Sequence, residues 1–429
     1  MIATFSSLSV PNYRRYFTGA LTSNIGSWVG RTAISWLVLV ELTDGSASAL
    51  GLVTAIMFTP QLLLTAWAGS IADRFPKRRI LLITQSVLAM DSIILATLVL
   101  TGHAQLWMVY LLAANDGLSN AFDNPARQSF VSEVVPQKNL PNAIGLNSAS
   151  FNAARLFGPG IAGLLIELLG TGYALAVDSL SYVVMITCLM LLREKELHPA
   201  PVVKGRGGTR EGLRYAWHRP DIMILLACGL IVGGLGFNYQ ISNAVMSTEY
   251  FGRGAGQYGI VGSMMGAGAL AAALWSAGRA RPRLRYVLGG MFGYVAFNVL
   301  AMFAPGFGWF VAWQIPAGFA TITVMVTANT MVQSATSAQM RGRVMALWGL
   351  VVMGVTPLVS PIVGWLGDNI GPQATIGFGV VIVAIGLIIV TWTIMHHDQL
   401  RFSFDPHRRG WLRLERGTIS EDIDPGTTR

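Results

Sequence analysis

Apolar runs of roughly 17 to 26 residues, each long enough to cross about 30 Å of hydrocarbon at about 1.5 Å per residue, recur from one end of the chain to the other. The first six cover Phe17 to Glu41, Ala49 to Ala72, Ile80 to Leu100, Leu106 to Phe122, Ala143 to Leu168 and Tyr173 to Leu192. A second six cover Ile222 to Met246, Tyr258 to Ala277, Tyr286 to Phe303, Trp309 to Val332, Val344 to Leu366 and Thr375 to Met395. Between the two sets, Leu192 to Asp221 is the one long polar interruption before the tail. It holds Pro199, Pro201, a glycine-rich run from Gly205 to Gly208, and a short amphipathic stretch around Leu213, Tyr215 and Trp217. The pattern predicts an all-α membrane protein of twelve transmembrane helices. A six-helix bundle is expected over residues 1–192, a central loop over 193–221, a second six-helix bundle over 222–396, and over 397–429 a tail, basic and then acidic, that is expected to be poorly ordered.

With twelve crossings every other loop faces the same side, so the placement of lysine and arginine tests the whole assignment. With the N-terminus taken as cytoplasmic, 27 of the 30 basic residues fall on inner segments; only Arg253 lies in an outer loop, and Arg31 and Arg155 lie within helices. Both termini and the central loop are therefore expected on the cytoplasmic side of a bacterial inner membrane. The net charge of +9 reads as membrane orientation, and no nucleic-acid partner is expected. A chain that is 53% hydrophobic and 12% charged is not an ordinary cytosolic enzyme, and its 48 glycines, without a repeat period, fit helices packing closely in lipid. Arg14 and Arg15 precede an apolar stretch with no small-residue cleavage site, which reads as a first membrane helix and not as a removed signal. Cys188 and Cys228 fall inside apolar runs and the six histidines show no ligand spacing, so no disulfide framework, metal or cofactor is expected. No Gly-x-x-x-x-Gly-Lys-Ser/Thr run provides a nucleotide site either.

After the second helix the chain reads Gly69, Ser70, Ile71, Ala72, Asp73, Arg74, Phe75, Pro76, Lys77, Arg78, Arg79. A glycine admits a neighbouring helix, an aspartate at a helix end pairs with an arginine or a facing N-terminus, and trailing cations anchor a tight inner loop. This spacing resembles the inter-helix loop signature of the major facilitator superfamily. The place after the eighth helix, Gly278, Arg279, Arg281, Arg283, Arg285, is basic without the aspartate. Helix five, with Arg155, Gly158, Pro159, Gly160 and Gly163, is similar to the superfamily's antiporter signature, whose kink and close packing would limit leak; Pro361 and Gly364 in helix eleven echo it about 200 residues on, as two related halves require. The stretch Asn124 to Arg127 through Ala143 to Asn147, together with Arg341 to Met345, resembles the enterobactin-exporter-like branch, which implies export of siderophores, macrolides or other secondary metabolites. The superfamily's helix-four arginine motif is not recognisable, since Leu112 to Asp123 holds Asp116, Asn120 and Asp123 but no arginine. A proton-coupled mechanism must then use other residues.

Charges inside the membrane are costly and need partners or water, which makes each a candidate site. Counted back from the outer helix ends, Arg31, Asp91 and Asp116 lie roughly 15 Å deep, Arg155 roughly 20 Å, and Asp178 only about 8 Å. The superfamily resemblance implies that helices one, four, seven and ten line the central cavity. Arg31 and Asp116 therefore lead the candidates as a pair, with Arg155 and Asp91 beside them and neutral Asn238, Gln240, Gln314 and Asn329 in the other half. Gly69, Asp73, Arg74, Lys77, Arg78, Gly158, Pro159 and Gly163 are the expected conformational motif residues. The expectation is a monomeric secondary active transporter, exporting an amphipathic small molecule with the proton as coupling ion; the alternatives are a translocase for lysophospholipid or a lipid precursor, and a non-transporting scaffold or sensor.

Overall fold

A computed structural model of the chain describes residues 3–198, 209–279, 282–337, 339–397, 401–403 and 413–415. Lys204, Gly205 to Gly208, Arg281 and most of the tail lie outside the described residues. The first half is built from α1 (Pro11–Trp36, prolonged by a π-helical turn Leu37–Leu42), α2 (Ala47–Arg74), α3 (Lys77–Leu100), α4 (Leu106–Phe130), α5 (Leu140–Leu169) and α6 (Thr171–Met190). The amphipathic stretch of the central loop forms α7 (Thr209–Trp217). In the second half, the seventh crossing is α8 (Pro220–Gly229), a π-helical Leu230–Gly236 and α9 (Tyr239–Val245). Next come α10 (Ala255–Ala277), α11 (Leu284–Met302) and α12 (Phe307–Ala335). An eleventh crossing split into α13 (Arg341–Met353) and α14 (Thr356–Asn369) precedes α15 (Pro372–His397). In the tail, two three-residue strands, β1 (Arg401–Ser403) and β2 (Arg413–Glu415), pair antiparallel with Arg401 opposite Glu415, the only strands among the described residues.

Eleven of these rods are long and apolar enough to cross a membrane. The twelfth is α4, whose 25 residues are long enough but carry Asn115, Asp116, Asn120, Asp123, Asn124 and Arg127. Of these, Asn115, Asp116, Asn120, Asp123 and Arg127 engage other protein groups, as described below. Helix four also runs eight residues past the expected end at Phe122, because its final polar turns pack inside the bundle. Outward-facing Leu63, Ile83, Leu111, Leu180, Phe292, Leu358 and Ile388 are exposed in the isolated chain, as lipid-facing side chains must be.

Each half has its own apolar core at the end of the molecule that holds the N-terminus and most of the cations, here the basic end. Tyr13, Tyr16, Leu81, Phe130 and Leu189 form the first, and Ile222, Val287, Val332, Val344 and Ile394 the second. Toward the opposite, far end one cluster is shared, joining Leu37, Leu50 and Ile166 to Ile241, Val245, Tyr258 and Val363. Small residues create that junction in two places. Added Cβ atoms on Gly163 and Gly259 would stand 2.5 Å from Ala255 O and 2.9 Å from Gly163 Cα, so α5 and α10 touch backbone to backbone. A Cβ on Gly51 would stand 2.5 Å from Ser360 O and one on Gly364 2.9 Å from Ser48 Cα, which unites α2 and α14 the same way. The two junctions exchange equivalent helices of the two halves, the pseudo-symmetry that the helix-five and helix-eleven echo predicts.

Candidate transport site

Glycines on α1 shape the centre of the first half. Gly19, Gly26 and Gly30 form a stripe against α6, where Cys188, Ser181 and Asp178 occupy the space their side chains would fill. The Asp178 carboxylate thereby reaches a small cavity lined by Ser27, Arg31, Asp116, Asn120 and Tyr182. Asp178 is thus in the same layer as Arg31 and Asp116 and not nearer the surface. The expected depth of about 8 Å takes the outer ends of helices one and six as level, whereas Asp178, in the second turn of α6, packs on Gly30 of α1 next to Arg31. Ser92 Oγ on α3 lies 3.0 Å from Asp178 Oδ2, but Oδ1 is buried without a hydrogen-bond partner. Asn120 Nδ2 donates to Asp116 Oδ2 at 3.0 Å, and Ser27 Oγ and Tyr182 OH are 3.2 Å apart.

Arg31 and Asp116 share this cavity, yet among the described residues no ion pair joins Arg31 to either carboxylate. Its guanidinium carbon lies 5.7 Å from the Trp28 ring centroid instead. Arg155 lies 6.0 Å from the same ring and 5.0 Å from the Phe237 ring of the other half, so two cations flank one indole. Gly158 packs directly on Trp28 Cβ, which lets α5 approach α1 at this level. Asp91 stands apart from the layer: Asn115 Nδ2 donates to both its oxygens at 2.9 Å.

The neutral candidates separate. Gln240 crosses between the halves, donating to Ser35 Oγ at 2.8 Å and lying 3.4 Å from the Arg31 carbonyl. Asn238 sits where the seventh crossing breaks and donates to Leu235 O at 2.9 Å, while Tyr294 OH donates to the freed Gly236 carbonyl at 2.7 Å. Its neighbour Tyr239 is in a network with Thr321 Oγ1 at 3.0 Å and Asn298 Nδ2 at 3.1 Å. Gln314 is fully buried with neither amide atom hydrogen-bonded, and Asn329 accepts from Gln333 at 2.6 Å.

Buried partners at the basic end replace the expected surface anchoring. Lys77 Nζ is 2.7 Å from Glu133 Oε1, both about nine-tenths buried. Arg78 donates to Leu189 O at 2.8 Å and Met190 O at 3.2 Å, and pairs with Glu194, so it caps the end of α6. Arg127, counted above among the inner cations, is a bundle residue: its Nε donates to Asp123 Oδ2 at 2.8 Å, and Thr84 and Gln85 donate to Asp123 Oδ1 at 2.9 and 2.8 Å. The i,i+4 spacing of Asp123 and Arg127 on a helix was the available signal for that pair. Arg74 is exposed, the Asp73 side chain lies outside the described residues, and a Cβ on Gly69 would meet nothing within 4 Å.

Crossing helices long and apolar enough to span a membrane, packed around a cluster of charged side chains, define a polytopic membrane protein. Residues 2–411 match the family described as transmembrane secretion effector, and the chain belongs to this family of major facilitator transporters. It is similar to the multidrug efflux pump Tap of Mycolicibacterium fortuitum, at 27% identity over 373 residues that cover 83% of this chain and 89% of Tap. Similarity to the enterobactin exporter EntS of Escherichia coli (strain K12) is 24% over 413 residues, 91% of this chain and 94% of EntS. With the staphyloferrin A transporter of Staphylococcus aureus (strain NCTC 8325 / PS 47) identity is 24% over 260 residues; that match covers 60% of this chain and 65% of the transporter's length. A bacterial homologue of the human lysosomal transporter Spinster, solved inward-facing and occupied, has a TM-score of 0.67 at 15% identity, covering 89% of this chain and 96% of that one. The POT family transporter PepTSo gives 0.68 at 13% identity, covering 91% of this chain and 99% of that one; likeness at these identities shows the fold.

Proposed function

We propose that the protein is a proton-coupled secondary exporter of an amphipathic small molecule, working by alternating access as a monomer in a bacterial inner membrane with both termini cytoplasmic. The observation that carries the reading is the position of the junctions. Among the described residues, the contacts uniting the halves run from Asp368 at the α2 start to Arg155 against Gly266 and Leu62 against Gly354, partway along the crossing helices. A carrier in this arrangement receives cargo from the basic, cytoplasmic side and must part the far-end junctions to release it. The similar proteins are named for export of a siderophore and efflux of drugs, which favours outward movement of molecules of that kind.

In this reading Arg31, Asp116 and Asp178 form the coupling layer, whose protonation and pairing change with cargo. Reconstituted protein given a pH gradient tests it directly. Asp116→Asn should lose proton-driven accumulation of a fluorescent drug while keeping some downhill exchange, and Arg31→Ala should impair transport at least as strongly. Unchanged gradient-driven transport by folded Asp116→Asn removes Asp116 from the mechanism. Poor stability in both single variants, with recovery in the charge-swapped double, would instead mark Arg31 and Asp116 as a structural pair.

A further inference from the structure

At the far end, α14 finishes with Asp368 pointing across the interface at the start of α2. Its Oδ1 accepts from the Ala47 amide at 2.6 Å, and its Oδ2 from the Ser48 amide at 3.0 Å and the Ser46 hydroxyl at 3.2 Å. A helix's first amides have no partners within the helix and carry its positive end, so a carboxylate there supplies both missing acceptors and opposite charge. The pseudo-symmetric position on α5 is Glu167, which follows Gly163 as Asp368 follows Gly364. Its carboxylate fills the space beside Gly256, in the first turn of α10. Gly163 meets Ala255 and Gly256 as Gly364 meets Ala47 and Ser48, so the two carboxylates face equivalent helix starts. A third, Glu249, lies against Gly45 just ahead of α2, where a Cβ would stand 2.7 Å from Oε2. The apolar junction beneath needs no charge to close. Acidic groups from one half set on the helix starts of the other are a device for holding it closed reversibly.

We propose that Asp368, by capping α2, and Glu167, by setting its charge beside the first turn of α10, are a pair of positioning residues that latch the far-end gate. The proposal rests on the alternating-access reading above. Losing either charge shifts the resting population toward a form open at the far end, and losing both shifts it further. Charge is what matters, so glutamate at 368 retains the latch.

Ser360 is fully buried under this gate against Gly51, so Ser360→Cys, with Cys188 and Cys228 replaced by alanine, reports opening. An impermeant maleimide added from the far side should label it at least roughly tenfold faster in Asp368→Asn/Glu167→Gln than in the parent, with single variants between. Asp368→Glu should label near the parent rate, which a merely structural role for the side chain would not predict. Thermal stability in detergent separates gate opening from misfolding; should Asp368→Asn fail to fold, Glu167→Gln alone must still speed labelling. Gly51→Val serves as a steric wedge at the same gate. Unchanged labelling in the folded charge variants while the wedge speeds it overturns the latch and leaves alternating access standing. Unchanged labelling in both overturns the latch and the cycle together.

Discussion

The intramembrane charges differ in how well they are satisfied, and that difference sorts structural from working groups. Asp123 accepts from Arg127, Thr84 and Gln85, and Asp91 is fully engaged by Asn115. Asp178 has one oxygen with no partner, and Arg31 and Arg155 rest on aromatic rings. Removing one member of a buried ion pair strands the other, so Asp123→Ala should lower stability by about 3–5 kcal/mol, seen as loss of folded protein on heating in detergent. Asp123→Asn retains an acceptor for Thr84 and Gln85 and should lose less. Equal stability of parent and Asp123→Ala would show that water already replaces the pair. This distinction was not legible in the sequence, where Asp91, Asp116 and Asp178 are aspartates in apolar runs and Asp123 directly follows one. Partners such as Ser92 and Asn115 come from other helices, and along the chain only the i,i+4 neighbours are visible, Asn120 for Asp116 and Arg127 for Asp123.

Helices as units were far more legible, because hydrophobic length and the alternation of cations between loops constrain all twelve together. What those signals miss is backbone hydrogen bonding. The seventh crossing reads as one apolar run, yet Gly233, Gly234 and Gly236 let it widen into a π-helix and break before Asn238, and the eleventh breaks at Gly354 and Val355. Hydropathy also underrates α4, whose Asn115, Asp116, Asn120, Asp123 and Arg127 engage other protein groups. The helix-five glycine and proline pattern, by contrast, anticipated a close approach to the other half, and α5 meets α10 through Gly160, Gly163, Gly256 and Gly259. A Cβ on Gly160 would stand 3.7 Å from Ser263 Cβ, within the ~3.5–4.5 Å that a disulfide spans. Gly160→Cys/Ser263→Cys should therefore oxidise readily, cross-link the halves and stop transport, and reduction should restore it. Transport that continues in the fully cross-linked protein would mean that α5 and α10 stay together throughout the cycle.

Across the whole molecule the two ends are in opposite conditions. At the far end glycines are in contact, Gly51 with Ser360 and Gly364 with Ser48, while at the basic end Gly69 faces open space. Gly69 opens the motif that resembles the superfamily's conformational signature, and under the proposed alternating access a glycine without a neighbour there is what a carrier open at this end would leave. The same kind of substitution should then act oppositely at the two sites. At Gly51 an added side chain collides with backbone, a cost of about 1–3 kcal/mol borne by the far-end-closed form alone, so Gly51→Val should favour the far-end-open form. At Gly69 it costs nothing here and obstructs only closure of the basic end, so Gly69→Val should keep full thermal stability, lose transport and remain open toward the N-terminal side. Spin-label distances across each end would report both effects: Gly51→Val widening the far end, Gly69→Val leaving the basic end wide even with cargo and a pH gradient present. Topology enters the same experiment, since an impermeant reagent outside intact cells should not reach Lys204→Cys in the central loop if the basic end is cytoplasmic. If both glycine variants shift the distances alike, or if Gly69→Val transports normally, the two ends do not alternate and Gly69 is only a small residue near a loop.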